Sequence, residues 1–281
     1  MSAKLSMASP KPKVQKLWVN LALIIAGILF LAPLLWVFIA SFDARAGLAA
    51  SIPEQFTLDN YREVLTPEQT FIPLGNSLVL SGFSALITVI VAVLAAYPLS
   101  RFRTKFNMGY MYTVLFASGL PITAMMIPVY SLFVQLKMLD NYPAVIMFLA
   151  TTSLPMAVFM AKNFMDGIPV SLEEAAWVDG ASPMRALRSV IIPLMKPGLA
   201  ALAIFVFVMV WGNFFVPFIL LSDPAKMPAA VTIYSFFGQH GAIAYGGLAA
   251  YSVIYTIPAV VLYLIITKFF GAFALAGGLK G

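Results

Sequence analysis

Six uncharged runs, at residues 17–42, 70–100, 106–136, 141–161, 197–222 and 241–267, constrain this chain more than any other feature. Each exceeds the roughly 20 residues a helix needs to cross about 30 Å of hydrocarbon. Lipid offers the backbone no hydrogen-bond partners, so a spanning segment must satisfy its own N–H and C=O groups, and these runs predict helices. The fold class is therefore an all-α membrane protein with six transmembrane helices. Pro33, Gly82, Pro121, Pro128, Pro155, Pro217 and Pro258 fall inside the runs, where neighbouring helices can re-satisfy the backbone groups they free. Pro121 and Pro128 can divide the third run into two pieces. Composition agrees: 62% of the chain is hydrophobic and 10% charged, far from the balance of soluble domains.

Orientation follows from the cations. Six spans put both termini on the same side as the second and fourth loops. That side carries Lys4, Lys11, Lys13, Lys16, Arg101, Arg103, Lys105, Lys162, Arg185, Arg188, Lys196, Lys268 and Lys280; the other has only Arg45, Arg62, Lys137 and Lys226. Thirteen against four predicts that both termini are cytoplasmic. The net charge of +6 is then membrane topology and not a nucleic-acid footprint. The run at 17–42 is too long for the core of a signal peptide and reads as a retained first span. Residues 1–16 read as a cytoplasmic lead-in, 17–270 as the membrane domain and 271–281 as a cytoplasmic tail.

Several chemistries are missing. The six span interiors hold no Asp, Glu, Lys, Arg or His, the groups that proton and ion relays require. There is no Cys, hence no thiolate nucleophile or Cys-based metal site. The one histidine, His240, lies beside a span end as a surface residue, and no metal site or catalytic constellation is expected. No phosphate-binding GxxxxGK[ST] loop occurs, so energy for active transport must come from elsewhere.

Residues 171–193, SLEEAAWVDGASPMRALRSVIIP, form a charged segment between apolar spans. Ser171 and Glu174 have the spacing of a capping box. Gly180 stands where a left-handed helix stop needs no Cβ. Ser182 and Pro183 read as the N-cap and first residue of a second helix, which Pro193 interrupts or bends towards the next span. Two short helices at an angle make a rigid knob suited to a groove on a partner.

Glu174-Ala175-Ala176, Gly180, Val190, Ile192 and Pro193 resemble the EAA loop of ABC-importer permeases, with seven positions matching over twenty residues. The resemblance implies the type I importer permease fold and a coupling loop at about 162–196 that docks on a separate ATPase. Glu174 would face a basic or polar group there, or complete the cap with Ser171. Ala175 and Ala176 would let another backbone approach, Gly180 would make the turn, and Asp179 would hydrogen-bond locally. Arg185 and Arg188 would pair with the ATPase or with lipid headgroups. ATP and magnesium would be bound by the ATPase and not by this chain.

Asn76-Ser77-Leu78, the stretch from Tyr97 to Phe102, the stretch from Trp211 to Pro217 and the glycine-rich tail from Ala276 narrow the resemblance to the six-span permease of maltose-type carbohydrate importers. That implies a second, different permease, two ATPase subunits and an extracytoplasmic sugar-binding protein, in a bacterial or archaeal cell membrane. Trp211, Asn213, Phe214 and Phe215, close together in the fifth span, offer the rings and amide that bind sugars; an amide in hydrocarbon needs a partner, which a neighbouring helix can also supply. Gln239, Gly241 and Tyr245 would form a loop tip facing the binding protein. Two alternatives remain: a permease of the same family for a polyamine, phosphate ester or peptide, and a stand-alone channel or secondary transporter.

Overall fold

The structure, a computed structural model, describes residues 13–49, 51–102, 107–119, 121–237 and 243–278. Helix α1 (Lys13–Ala40) leads through a short α2 (Asp59–Val64) to α3 (Ile72–Arg101). The third run forms two helices, α4 (Asn107–Ser118) and α5 (Ile122–Gln135), followed by α6 (Tyr142–Asp166). Short α7 (Val170–Val178) and α8 (Pro183–Ala186) precede α9 (Ile192–Trp211). Then come α10 (Phe215–Leu220), α11 (Ala229–Thr232) and the long α12 (Tyr245–Gly278).

Five helical stretches among the described residues are long and apolar enough to cross a membrane. The third run differs from the single span expected of it. Its helices have 12 and 14 residues, about 18 and 21 Å at 1.5 Å per residue, and neither crosses alone. Pro121, in extended backbone, is the N-cap of α5, whereas Pro128 stays inside that helix. The fifth run also departs from expectation. Its helix begins at Ile192 and ends at Trp211, so the residues from Gly212 onward lie outside it.

Pro193 does not interrupt its helix. A π turn at Leu187–Ile191 precedes α9, and the Ile192 amide bonds to the Leu187 carbonyl. Proline has no N–H, and its ring collides with the carbonyl four residues back; a wider turn just before it relieves both constraints. The same device opens α3, where a π turn at Pro67–Phe71 precedes Pro73 and the Ile72 amide bonds to the Pro67 carbonyl.

The bundle is built around α3. Its buried Ser77, Ser81, Ser84, Ala85, Thr88, Ala92 and Ala96 recur at three- and four-residue steps along one face. Small side chains let helix backbones approach where lipid supplies no hydrophobic drive. Here they meet α6, and Ser84 Oγ and Thr88 Oγ1 donate to the carbonyls of Ile146 (3.3 Å) and Ala150 (3.2 Å). Such interhelical bonds are worth about 0.6 kcal/mol each. Helix α9 closes the other flank of α3 and approaches α6 so tightly at Gly198 that a Cβ there would lie 2.6 Å from Phe164 Cγ. By contrast α1 is apolar on all sides and barely covered, with Phe30 74% exposed, as expected of a helix solvated by lipid.

Candidate coupling site and transport path

The knob between α6 and α9 forms as two helices around Gly180. Gly180 has a φ of 83°, a conformation L side chains avoid. Its amide bonds to the Trp177 carbonyl (3.0 Å) and the Ala181 amide to the Ala176 carbonyl (2.9 Å), the paired bonds of a Schellman stop. Ser182 Oγ then accepts from the Arg185 amide at 3.3 Å, with Pro183 next to it, as the sequence suggests. The start of α7 is different. Pro169 is its N-cap residue and no side chain caps it. Ser171 lies inside the first turn, so the Ser171–Glu174 capping box is not formed.

The main surprise is Glu173. It is 1% exposed, whereas its neighbour Glu174 faces outward. Adjacent helical residues point about 100° apart, so one of two consecutive glutamates turns to the bundle. Glu173 Oε2 accepts from Arg101 Nε at 2.7 Å, in an ion pair whose side chains are 3% and 1% exposed. Tyr97 OH donates to Glu173 Oε1. The guanidinium also reaches the Ile168 carbonyl (3.4 Å) and Ser100 Oγ (3.3 Å). Ser100 Oγ in turn donates to Asp166 Oδ1 at 2.5 Å, and Lys162 Nζ holds Asp166 Oδ2 at 2.6 Å. The ends of α3, α6 and α7 are thus joined by one polar network. Its sequence signal was the Tyr97–Arg101 stretch, where a cation closes an apolar run; nothing in the sequence paired it with Glu173.

The remaining loop residues face outward. Glu174, Ala175, Asp179, Arg185, Arg188 and Pro193 are exposed and Ala176 is half-buried. Asp179 caps α7 through its backbone, its amide bonding to the Ala175 carbonyl at 3.1 Å. Arg185 and Arg188 share a shallow surface recess with Ser182, Met184 and Ser189.

The four candidate path residues do not form one wall, because the helix stops at Trp211. Trp211 is buried and stacked between Phe207 (centroids 5.5 Å apart) and Tyr255 (5.4 Å). Tyr255 OH donates to the Trp211 carbonyl at 2.7 Å. Asn213 Oδ1 accepts from the Val216 amide at 3.1 Å and organises the start of α10. Phe215 packs on the main core. Only Phe214 joins an accessible aromatic group, stacking on Phe218 at 4.8 Å and meeting Tyr234 at 6.3 Å. Phe218 and Tyr234 are 44% and 59% exposed. Both escaped sequence reasoning because they are far from each other along the chain.

At the opposite end of the bundle, the segment after α10 is clamped by side chains. Asn76 Nδ2 donates to the carbonyls of Ala225 (2.9 Å) and Met227 (3.0 Å), and Ser77 Oγ accepts from the Ala229 amide (2.8 Å). Asp140 Oδ1 accepts from the amides of Ser222 (2.5 Å) and Asp223 (2.9 Å). Gln239 and Gly241 lie outside the described residues. Tyr245 is not a loop tip; it is half-buried and opens α12.

The Asp223 and Ser222 amides hold the Asp140 carboxyl below the usual carboxylate range. A depressed folded pKa adds stability above the unfolded value and loses it as pH falls through the folded one. Asp140→Asn should therefore cost about 1 kcal/mol at neutral pH, given its partial solvent screening. The difference from wild type should vanish towards strongly acidic pH, as read from unfolding midpoints of the detergent-solubilised protein. A pH-independent difference would show that the carboxylate charge is irrelevant.

Comparison with known proteins adds three findings. Residues 88–275 match the family model described as "Binding-protein-dependent transport system inner membrane component". The chain is 30% identical over 262 residues to the trehalose/maltose transport system permease protein MalG of Thermococcus litoralis, covering 92% of this chain and 94% of the relative. It is also 30% identical over 267 residues to the trehalose transport system permease protein SugB of Mycobacterium tuberculosis, covering 94% and 97%. Among solved structures, a bacterial ABC transporter involved in import of the acidic polysaccharide alginate has a chain with a TM-score of 0.77, at 22% identity, covering 95% of this chain and all of that one.

Proposed function

The chain belongs to the binding-protein-dependent transport system inner membrane components, and from that premise we propose that it is the permease subunit of an ATP-driven sugar importer. It is an integral membrane transport component and not an enzyme. It forms half of the translocation pathway beside a second, different permease. Two ATPase subunits bind ATP and magnesium, one of them docking on the cytoplasmic α7–α8 corner of this chain, and an extracytoplasmic binding protein delivers the sugar. The third run crosses as two consecutive helices, giving six spans with both termini in the cytoplasm. This orientation rests on the excess of cations on that side.

One observation carries the coupling assignment. The corner between α7 and α8 is exposed on its outer face, with Glu174 free of ion pairs among the described residues, yet anchored on its inner face by a buried Glu173. A surface knob with a rigid base transmits force. Charge-free span interiors favour a neutral substrate, and the rings of Phe214, Phe218 and Tyr234 suit the C–H faces of a disaccharide or oligosaccharide.

Affinity purification of the tagged chain from native membranes tests this reading. It should return a second permease, a P-loop ATPase and a sugar receptor, whose bound ligand names the substrate. Vesicles containing all of them should take up that sugar only with ATP. Recovery of this chain alone, or uptake by it without an ATPase, would instead make it a channel or carrier.

A further inference from the structure

We propose that the Arg101–Glu173 pair, with Tyr97, is the positioning link that carries movement of the α7–α8 corner to α3. This rests on the reading of that corner as the ATPase-docking site.

Helix α7 has three attachments to the bundle. Two are covalent: Gly167, Ile168 and Pro169 join it to α6, and through Gly180 and α8 it continues by the π turn into α9. The third is made by side chains. The nearest backbone neighbours of α7 are α8 and the π turn, while its hold on α3 is through Glu173, whose two oxygens are taken by Arg101 and Tyr97. Both acceptor atoms are used, and the guanidinium gives two further N–H groups to Ser100 Oγ and the Ile168 carbonyl. The link therefore has little freedom to rotate.

Helix α3 is also the element best placed to receive the movement. Its small-residue face lies against α6 and its other flank against α9. Its far end holds the clamped segment after α10 through Asn76 and Ser77. A displacement entering at Arg101 is thus delivered along one helix to the opposite end of the bundle. A buried ion pair adds little net stability over well-packed apolar residues. What it adds is a fixed geometry.

The test uses the complete complex in proteoliposomes with its receptor and sugar, and reads sugar moved per ATP hydrolysed. Glu173→Gln and Arg101→Gln should still assemble with the ATPase and hydrolyse ATP at half the wild-type rate or more. Their sugar-per-ATP ratio should fall at least tenfold. Tyr97→Phe, which keeps the ring and removes one hydrogen bond, should lower the ratio about threefold, and it decides the matter if the charge variants do not assemble. A ratio unchanged from wild type in the assembled variants would overturn the proposal, as would hydrolysis and uptake falling together in proportion. Failure of the wild-type complex to couple ATP to uptake would instead sink the functional reading on which it rests.

Discussion

Gly180→Pro should abolish sugar uptake while leaving membrane insertion intact. The φ of 83° at this position lies far from the value near −65° to which a proline ring is locked. Proline also removes the amide that bonds to the Trp177 carbonyl. The left-handed conformation alone costs an L residue about 1–2 kcal/mol, and the lost hydrogen bond about 0.5–1.5 kcal/mol more. The chain escapes these costs by leaving that conformation, which redirects α8 relative to α7. None of this touches the packed interior, because Gly180 has no atom within 4 Å of where a Cβ would stand. The expected result is normal abundance in the membrane, loss of the ATPase on purification and no ATP-driven uptake. Gly180→Asn is the matched control, since asparagine tolerates the left-handed region, and it should keep most of the activity. Normal uptake by the proline variant would show that the angle of the corner is immaterial.

The largest loss of stability is expected from Arg101→Leu. The change leaves Glu173, at 1% side-chain exposure, without its cation, and breaking a buried pair on one side costs about 3–5 kcal/mol. Removing the remaining polar groups as well should reverse most of that loss. A chain carrying Tyr97→Phe, Arg101→Leu and Glu173→Leu has no uncompensated charge, and apolar replacements of whole buried networks are commonly neutral or stabilising. Thermal unfolding in detergent should place the single variant well below wild type and the triple variant close to it. Equal destabilisation of both would mean that Arg101 contributes through its aliphatic stem and not through the pair.

The two variants probe different parts of one loop, and they differ in how far the sequence revealed them. The Gly180 stop and the Ser182–Pro183 start were legible because each depends on local backbone chemistry: a residue without Cβ, a hydroxyl beside a proline. The supposed cap at Ser171 was the same kind of inference and failed. Pro169 already sets the entry of α7, and a matching three-residue spacing does not place the first turn. The segment from Trp211 to Phe215 misled for a related reason. An uncharged run reports solvent and not helix continuity, so the stop at Gly212 and the Asn213 bond to the Val216 amide left no trace in hydropathy.

Taken by itself, the sequence determined the solvent, the helical class, the approximate places of the long helices and the position of the corner. Each of these follows from period, charge or a local backbone constraint within a few residues. Tertiary structure alone decided which of two adjacent glutamates is buried, that Arg101 meets it from 72 residues away, and that Phe218 and Tyr234 share a surface. Such contacts join residues distant along the chain, and their energy depends on which helix faces are brought together, so no short stretch of sequence encodes them.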